Sequence, residues 1–349
     1  MSKKKDTPRP LPDTLGLPPT GADSHAHLDS EGIIERLPEV MERARNAGLA
    51  SIGQVFLGPA AYHANKDTFA GYPGVFFLMG IHPCDGQECT GATLKAMREA
   101  FADDPRLRAV GEIGLDFYWK DCPPFIQEEA FRVQLALAKE TDRPVVIHSR
   151  DAAKDTLRIL EAEGFAGRPV LWHCFSGDAV EFLDRFLANG WHLSIPGPVT
   201  YPANHSLREA VKRIPPDRLM VETDCPYLTP APHRGERNES AWVRYVCEKV
   251  AQIKGLTPEE VAEATTANAE RMFGRPQNRP APSHGRKIFD APEANRQAAA
   301  PPCGGLPATA FRADHRELPP ENATEVPENE SSDHASPSSD NGLSRPERA

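Results

Sequence analysis

The chain alternates between short, nearly unbroken apolar runs and longer stretches in which apolar residues recur every three to four positions. The apolar runs cover residues 22–28, 49–57, 75–81, 107–113, 144–148, 169–173, 191–195 and 218–223. A run that stays apolar on successive residues reads as a strand covered on both faces, the condition of a parallel sheet. Helical periodicity fills residues 33–47, 128–140, 152–163, 180–189 and 206–214, and residues 240–253 and 258–273 read as closing helices. Strict alternation implies parallel strands joined by right-handed crossovers, and eight such units predict an α/β fold, a (β/α)8 barrel of the TIM type. An open doubly wound sheet is the competing layout. It would gather its chemistry at one switch point, and neither a Gly-x-Gly-x-x-Gly nor a Walker-type loop supports it.

Composition trims the ends of the 349-residue chain. Residues 1–20 hold Lys3, Lys4, Lys5 and several prolines without apolar periodicity, so a flexible N-terminal tail is expected. No apolar core follows those lysines, so neither a signal peptide nor a membrane span is expected. Residues 276–349 are rich in Pro, Ala, Ser, Glu and Asn, with Phe289 and Phe311 as their aromatic residues. Such a segment buries too little apolar surface to offset its ordering entropy, and a disordered extension is expected. Residues 21–275 remain as the barrel.

Charge narrows the function. Residues 21–275 carry 28 Lys and Arg against 37 Asp and Glu, within a chain of net charge −10. This balance argues against gripping a long duplex over a basic face; a nucleic-acid substrate would be held locally, by metals and a few arginines. The seven cysteines are odd in number and lack zinc-finger spacing, which fits free thiols in a reducing cytoplasm. Cys174 and Cys225 each follow a ligand candidate directly and read as packing residues on the opposite face.

The chemistry sits at the carboxyl ends of the apolar runs, where a barrel places its catalytic groups. His25 and His27 are two residues apart in a strand, so both imidazoles face one way, and a divalent ion would take up their lone pairs. Glu112 interrupts the apolar run of strand four; a carboxylate buried there needs a cation or a proton. His148 and His173 end runs five and six, and Asp224 ends run eight. Alone, the His25 and His27 pair reads as solvent-facing, His148 or His173 as a satisfied core residue, and Glu112 as half of an ion pair. Together the six donors suffice for two metals sharing one carboxylate, with Glu112 the best bridge.

The segments Asp-Ser-His-Ala-His-Leu-Asp, Gly-Ile-His-Pro, Gly-Glu-Ile-Gly-Leu-Asp, Ile-His-Ser-Arg-Asp-Ala, His-Cys-Phe-Ser-Gly and Glu-Thr-Asp-Cys-Pro-Tyr-Leu-Thr-Pro occur in this order. By them the chain resembles the TatD family of metal-dependent deoxyribonucleases, in the amidohydrolase-like barrel group, over residues 21–275. The resemblance implies that His25, His27, Glu112 and Asp224 surround one ion while Glu112, His148 and His173 hold the other. Pro232-His233-Arg234-Gly235 matches a further family segment.

Asp224 and Glu112 are then the expected catalytic residues, Asp224 also accepting the proton of the nucleophilic water. Expected substrate contacts are His82, Arg150, His233 and Arg234, the guanidinium forks suiting a phosphate. For Arg150 an ion pair with Asp116 is the bland alternative, and for His82 a capping or core role. The mixed nitrogen and oxygen set suits Zn, Mn or Co, with Mg at the more carboxylate-rich position. The expected partner is DNA, at single-stranded 3′ ends, acted on by a monomer without an organic cofactor or a membrane.

Two rivals stand beside this reading. The resemblance also admits ester hydrolysis on aminoacyl-tRNA, such as a D-aminoacyl-tRNA deacylase, because the loops set substrate choice. A non-catalytic barrel with a structural metal is the rival of another class. A serine hydrolase is set aside, since Ser149 and Ser176 lie in no Gly-x-Ser-x-Gly elbow.

Overall fold

A computed structural model describes residues 11–16, 20–231 and 233–275. The expected C-terminal extension and most of the expected N-terminal tail lie outside them. Eight parallel strands, β1 (Gly21–Ala26), β2 (Leu49–Leu57), β3 (Val75–Gly80), β4 (Leu107–Asp116), β5 (Val145–Arg150), β6 (Val170–Trp172), β7 (His192–Ile195) and β8 (Leu219–Val221), pair in sequence order. Between them run α1 (Leu37–Asn46), α2 (Pro59–Asn65), α3 (Gly91–Asp103), α4 (Pro124–Glu140), α5 (Ala153–Ala162), α6 (Leu183–Ala188) and α7 (His205–Arg213), and α8 (Val243–Lys254) and α9 (Pro258–Phe273) close the chain. This is the TIM-type barrel that the alternation predicts. α2 and α3 are additions to the helices named from periodicity. The expected helices at 33–47, 180–189 and 240–253 each begin as a 3-10 turn and become α-helical only at Leu37, Leu183 and Val243.

The strands have two faces with different duties. Ala22, Val55, Phe76, Leu78, Ala109, Val146, Leu171 and Met220, one or two from most strands, form an inner cluster closed by Ala269 and Phe273 of α9. Phe273 stacks on Phe76 at 5.0 Å between centroids, so α9 plugs the amino end of the barrel. The alternate positions, among them Ile52, Phe56, Val110, Ile113, Ile147 and Trp172, pack outward against the helices. The carboxyl end is left for polar groups. Among the described residues no helix is long and apolar enough to cross a membrane.

Two strands depart from regular pairing, and both carry site residues. Along β4, Val110 and Ile113 lie opposite Val145 and Ile147, three steps against two. Along β1, Asp23 and Ala26 lie opposite Ile52 and Gln54 in the same way. Each is a one-residue bulge, which reverses the facing of the residues beyond it. Val110 and Ile113 therefore both face the helices, and Glu112 between them turns inward. Ala22 likewise belongs to the inner cluster and Ala26 to the outer, so the bulge separates their faces and aims His25 at the barrel mouth. Glycine permits the close approach at β4: a Cβ on Gly111 would lie 2.6 Å from the Cβ of Val146, and one on Gly114 would collide with the carbonyl oxygen of His148.

The seam between β8 and β1 is closed by side chains and strand ends. Ser24 donates its hydroxyl to the Val221 carbonyl (3.0 Å), and the backbone N–H groups of Asp224 and His27 donate to the carbonyls of His25 (3.0 Å) and Cys225 (2.8 Å). Asp23, fully buried, accepts the Thr223 N–H (2.9 Å) and hydroxyl (2.6 Å). Burial pushes its carboxyl up to about 7 in spite of the Thr223 bonds. Asp23→Ala would leave the Thr223 N–H buried without a partner, and a loss of about 3 kcal/mol is expected from two bonds and one stranded donor. The urea midpoint of the two proteins measures it; a difference below about 0.5 kcal/mol, the surface-substitution range, would remove Asp23 from the seam.

Candidate metal centre

The six donors singled out in the sequence meet at the carboxyl mouth. His25 lies in β1 and His27 just beyond it; Glu112 and His148 lie within β4 and β5; His173 follows β6 directly, and Asp224 comes three residues after β8. Asp224 and Cys174 have left-handed backbones (φ 55° and 48°), each turning the chain away from its strand immediately after or at a donor. All six side chains are buried or nearly so, His25 completely.

Glu112 is the centre of the cluster, and its two oxygens face different imidazole pairs. Oε1 lies 3.5 Å from His27 Nε2 and 3.9 Å from His25 Nε2. Oε2 lies 2.8 Å from His173 Nε2 and 3.1 Å from His148 Nδ1. Asp224 Oδ1 completes the first side, 3.4 Å from His27 Nε2 and 3.6 Å from His25 Nε2. The His25 and His173 rings stack at 3.9 Å and join the two sides.

This donor set fits divalent metal. Both nitrogens of His25 are buried without a hydrogen-bond partner, an arrangement that costs free energy unless a cation faces one of them. The separations on the Asp224 side, 3.4 to 3.9 Å, exceed hydrogen-bond length. Donors about 2.0–2.1 Å from a common tetrahedral ion stand about 3.4 Å apart. The electrostatics agree. Burial would raise the Glu112 carboxyl, but His173 and the bonds from His148 and His173 hold it well below the usual range. Burial likewise opposes a proton on His173, yet Glu112 and Glu222 lift its pKa well above the ordinary value. His25 goes the other way, kept neutral by burial and by neighbouring His173.

Two acids that the spacing did not single out stand behind the donors. Asp116 Oδ2 lies 3.0 Å from His148 Nε2, which leaves Nδ1 to face Glu112. Such a carboxylate fixes tautomer and ring orientation in a metal-ligating histidine. Glu222, fully buried, accepts the Cys174 N–H at 2.5 Å and faces His173 Nδ1 at 3.6 Å. Even spacing was the available signal: Asp116 is four residues from Glu112, and Glu222 two from Asp224.

The expected substrate contacts lie around the same mouth. His82 follows β3 and caps a 3-10 turn, its Nδ1 accepting the Cys84 N–H at 3.1 Å. Its ring also packs edge-on against His148 at 4.4 Å, and burial followed by His148 pushes its pKa down to about 3. Arg150 ends β5 with its guanidinium 3.8 Å from the centre of the Tyr118 ring, while Asp116 turns to His148. Arg234 lies over Tyr201 at 4.2 Å. His233 is held by the protein on both nitrogens, by Glu236 (3.1 Å) and the Tyr245 hydroxyl (3.2 Å), and stacks on Trp242.

Comparison with known proteins agrees with the architecture. A family model described as TatD related DNase matches residues 22–274. YabD of Bacillus subtilis, named an uncharacterized metal-dependent hydrolase, is 41% identical over 251 residues, covering 72% of this chain and 98% of the relative. A protein of Citrobacter rodentium named 3′-5′ ssDNA/RNA exonuclease TatD is 34% identical over 259 residues, covering 72% and 97%. The crystal structure of YjjV, a TatD homologue from Escherichia coli, superposes with a TM-score of 0.69 at 25% identity, over 74% of this chain and 99% of that one. With its buried carboxylate-bridged imidazoles at the mouth of an eight-stranded barrel, the chain belongs to the TatD family of metal-dependent hydrolases.

Proposed function

We propose that this chain is a nuclease that hydrolyses phosphodiester bonds at the 3′ ends of single-stranded DNA, with two divalent ions sharing Glu112. The observation that carries the reading is the division of Glu112, one oxygen toward His25 and His27 and the other toward His148 and His173. Asp224 belongs with the first pair. Ions held there would make a nucleophilic water available near neutral pH and offset charge on the phosphoryl oxygens. The chain's own groups do the rest. Asp224, with Oδ1 among the donors, has a second oxygen to take the water's proton. Arg150 and Arg234 supply positive charge for the phosphate, and His82 stands beside His148. His233 positions the loop that bears Arg234.

Zn, Mn or Co suit the imidazole-rich side, and Mg suits the side that includes Asp224. The six donors named here all come from one chain within residues 21–275, so a monomer suffices. Cys89, Cys122, Cys174, Cys225 and Cys247 are free thiols, which accords with the cytoplasm. The exonuclease name of the Citrobacter rodentium relative supports the bond type and the single-stranded end. The acidic balance of residues 21–275 points the same way.

Parallel assays of metal-loaded protein test the reading, using 5′-labelled single-stranded DNA, the matching duplex, RNA and D-aminoacyl-tRNA. Shortening of the single strand from its 3′ end is expected, with the duplex at least tenfold slower. Turnover of D-aminoacyl-tRNA with intact oligonucleotides would replace the nuclease by the ester hydrolase.

A further inference from the structure

We propose that Tyr118 and Trp119, in the loop between β4 and α4, form a stacking platform for the bases of a single-stranded nucleic acid whose backbone enters the metal centre. The proposal rests on the nuclease reading of that centre and names how the substrate is held. Exposed aromatic rings are the first sign. Among the described residues, the exposed large aromatics are Tyr118, half exposed, and Phe125, 71% exposed, and both lie between the end of β4 and the first turn of α4. Trp119 is partly exposed beside them, perpendicular to Tyr118 at 5.0 Å.

Asp116 ties this loop to the centre. Its Oδ1 accepts the backbone N–H groups of Tyr118 (3.0 Å) and Trp119 (2.9 Å), while its Oδ2 meets His148 Nε2. One carboxylate thus fixes the ring pair relative to a metal-ligand candidate. The Phe117 N–H donates to the Arg150 carbonyl (2.9 Å), and the Arg150 guanidinium lies 3.8 Å from the Tyr118 ring centre and 5.7 Å from that of Trp119. A cation against an aromatic ring at the mouth is a surface on which a base stacks and a phosphate is neutralised.

The platform also resolves a conflict in the charge. An acidic barrel gains little from counterion release, the usual source of affinity for a polyanion. Stacking supplies affinity without net positive charge and is tolerant of sequence, since every base has a π-face. The substrate must then present unstacked bases, which a duplex does not.

The test compares the metal-loaded full chain, Tyr118→Ala and Tyr118→Phe on two single strands, one ordinary and one carrying abasic residues at its last three 3′ positions. Tyr118→Ala is expected to lower kcat/KM about tenfold on the ordinary strand, the lower end of what one stacked base contributes, and to leave the abasic strand within twofold. Tyr118→Phe should behave as the parent. Equal losses on both strands, or none on either, would overturn the platform while leaving the nuclease reading in place. Binding without turnover separates the two ideas further: oligo(dT) added to chelator-treated protein should quench part of the fluorescence of the four tryptophans, and Trp119→Phe should abolish that quenching. If the parent cuts no strand at all, the nuclease reading falls. Quenching would then keep the platform, and its absence would overturn that as well.

Discussion

Glu112→Gln is expected to lower hydrolysis by about a thousandfold, the rate equivalent of ~4 kcal/mol of transition-state stabilisation. The substitution keeps volume and shape, so its effect is chemical. Glutamine has one acceptor oxygen where the carboxylate has two. Whichever way the amide turns, an NH2 group faces either His25 and His27 or His148 and His173, where an oxygen now lies within 2.8 to 3.9 Å of each ring. One side of the cluster loses its shared ligand and the whole loses a negative charge. Elemental analysis after gel filtration should therefore show less metal than in the parent, with an unaltered circular dichroism spectrum. More than a tenth of parental activity at full metal content would remove Glu112 from the bridging role, and with it the two-ion proposal.

The unequal separations on the two sides of Glu112 bear on which ion would leave. His173 and His148 approach Oε2 within hydrogen-bond length, and Asp116 and Glu222 stand behind them. On that side Asp116 hydrogen-bonds to the His148 ring at 3.0 Å, and Glu222 faces His173 Nδ1 at 3.6 Å, beyond hydrogen-bond length. On the other side His25 has no hydrogen-bond partner behind it, and its ring is restrained by stacking on His173. The His25 side is thus the more dependent on a cation, and Asp224 is its own carboxylate. Loss of metal from the Glu112 variant should begin there.

Much of this was legible in the chain because buried parallel strands are apolar on successive residues and polar groups at their ends stand out. His148 and His173 needed nothing more, since β5 and β6 pair regularly and spacing gives their facing correctly. Glu112 and His25 are different. Each lies in a bulge, and regular alternation would have given Glu112 the outward facing of Val110. Its inward turn comes from an extra residue in β4 that β5 does not match, a property of two strands together that one strand's spacing does not contain. Asp116 was hidden for a related reason, because its role depends on which nitrogen of His148 turns toward Glu112. The Tyr118 and Trp119 rings carried no periodic signal, being in a loop where side chains follow no repeat. The 3-10 starts of three helices moved the expected boundaries by several residues, as helix ends do when the first turn is tighter than the rest.

Asp224→Asn is expected to lower kcat by about 10²–10⁴-fold, the range for removing a general base, while changing the KM for an oligonucleotide little. The backbone gives reason to expect a folded variant. Asp224 has φ 55°, a conformation asparagine shares with aspartate, and its N–H bond to the His25 carbonyl involves no side-chain atom. The amide oxygen can still stand where Oδ1 does, 3.4 Å from His27 and 3.6 Å from His25, so a donor survives and the proton acceptor is lost. Two readouts distinguish these parts. Metal content should stay closer to the parental value than in Glu112→Gln, and the variant's rate should climb with pH, approaching tenfold per unit, as solvent hydroxide replaces the missing acceptor. A flat profile with reduced metal would make Asp224 a ligand only. Parental rates at parental metal content would exclude it from both roles, leaving the His25 and His27 side with Glu112 as its sole carboxylate.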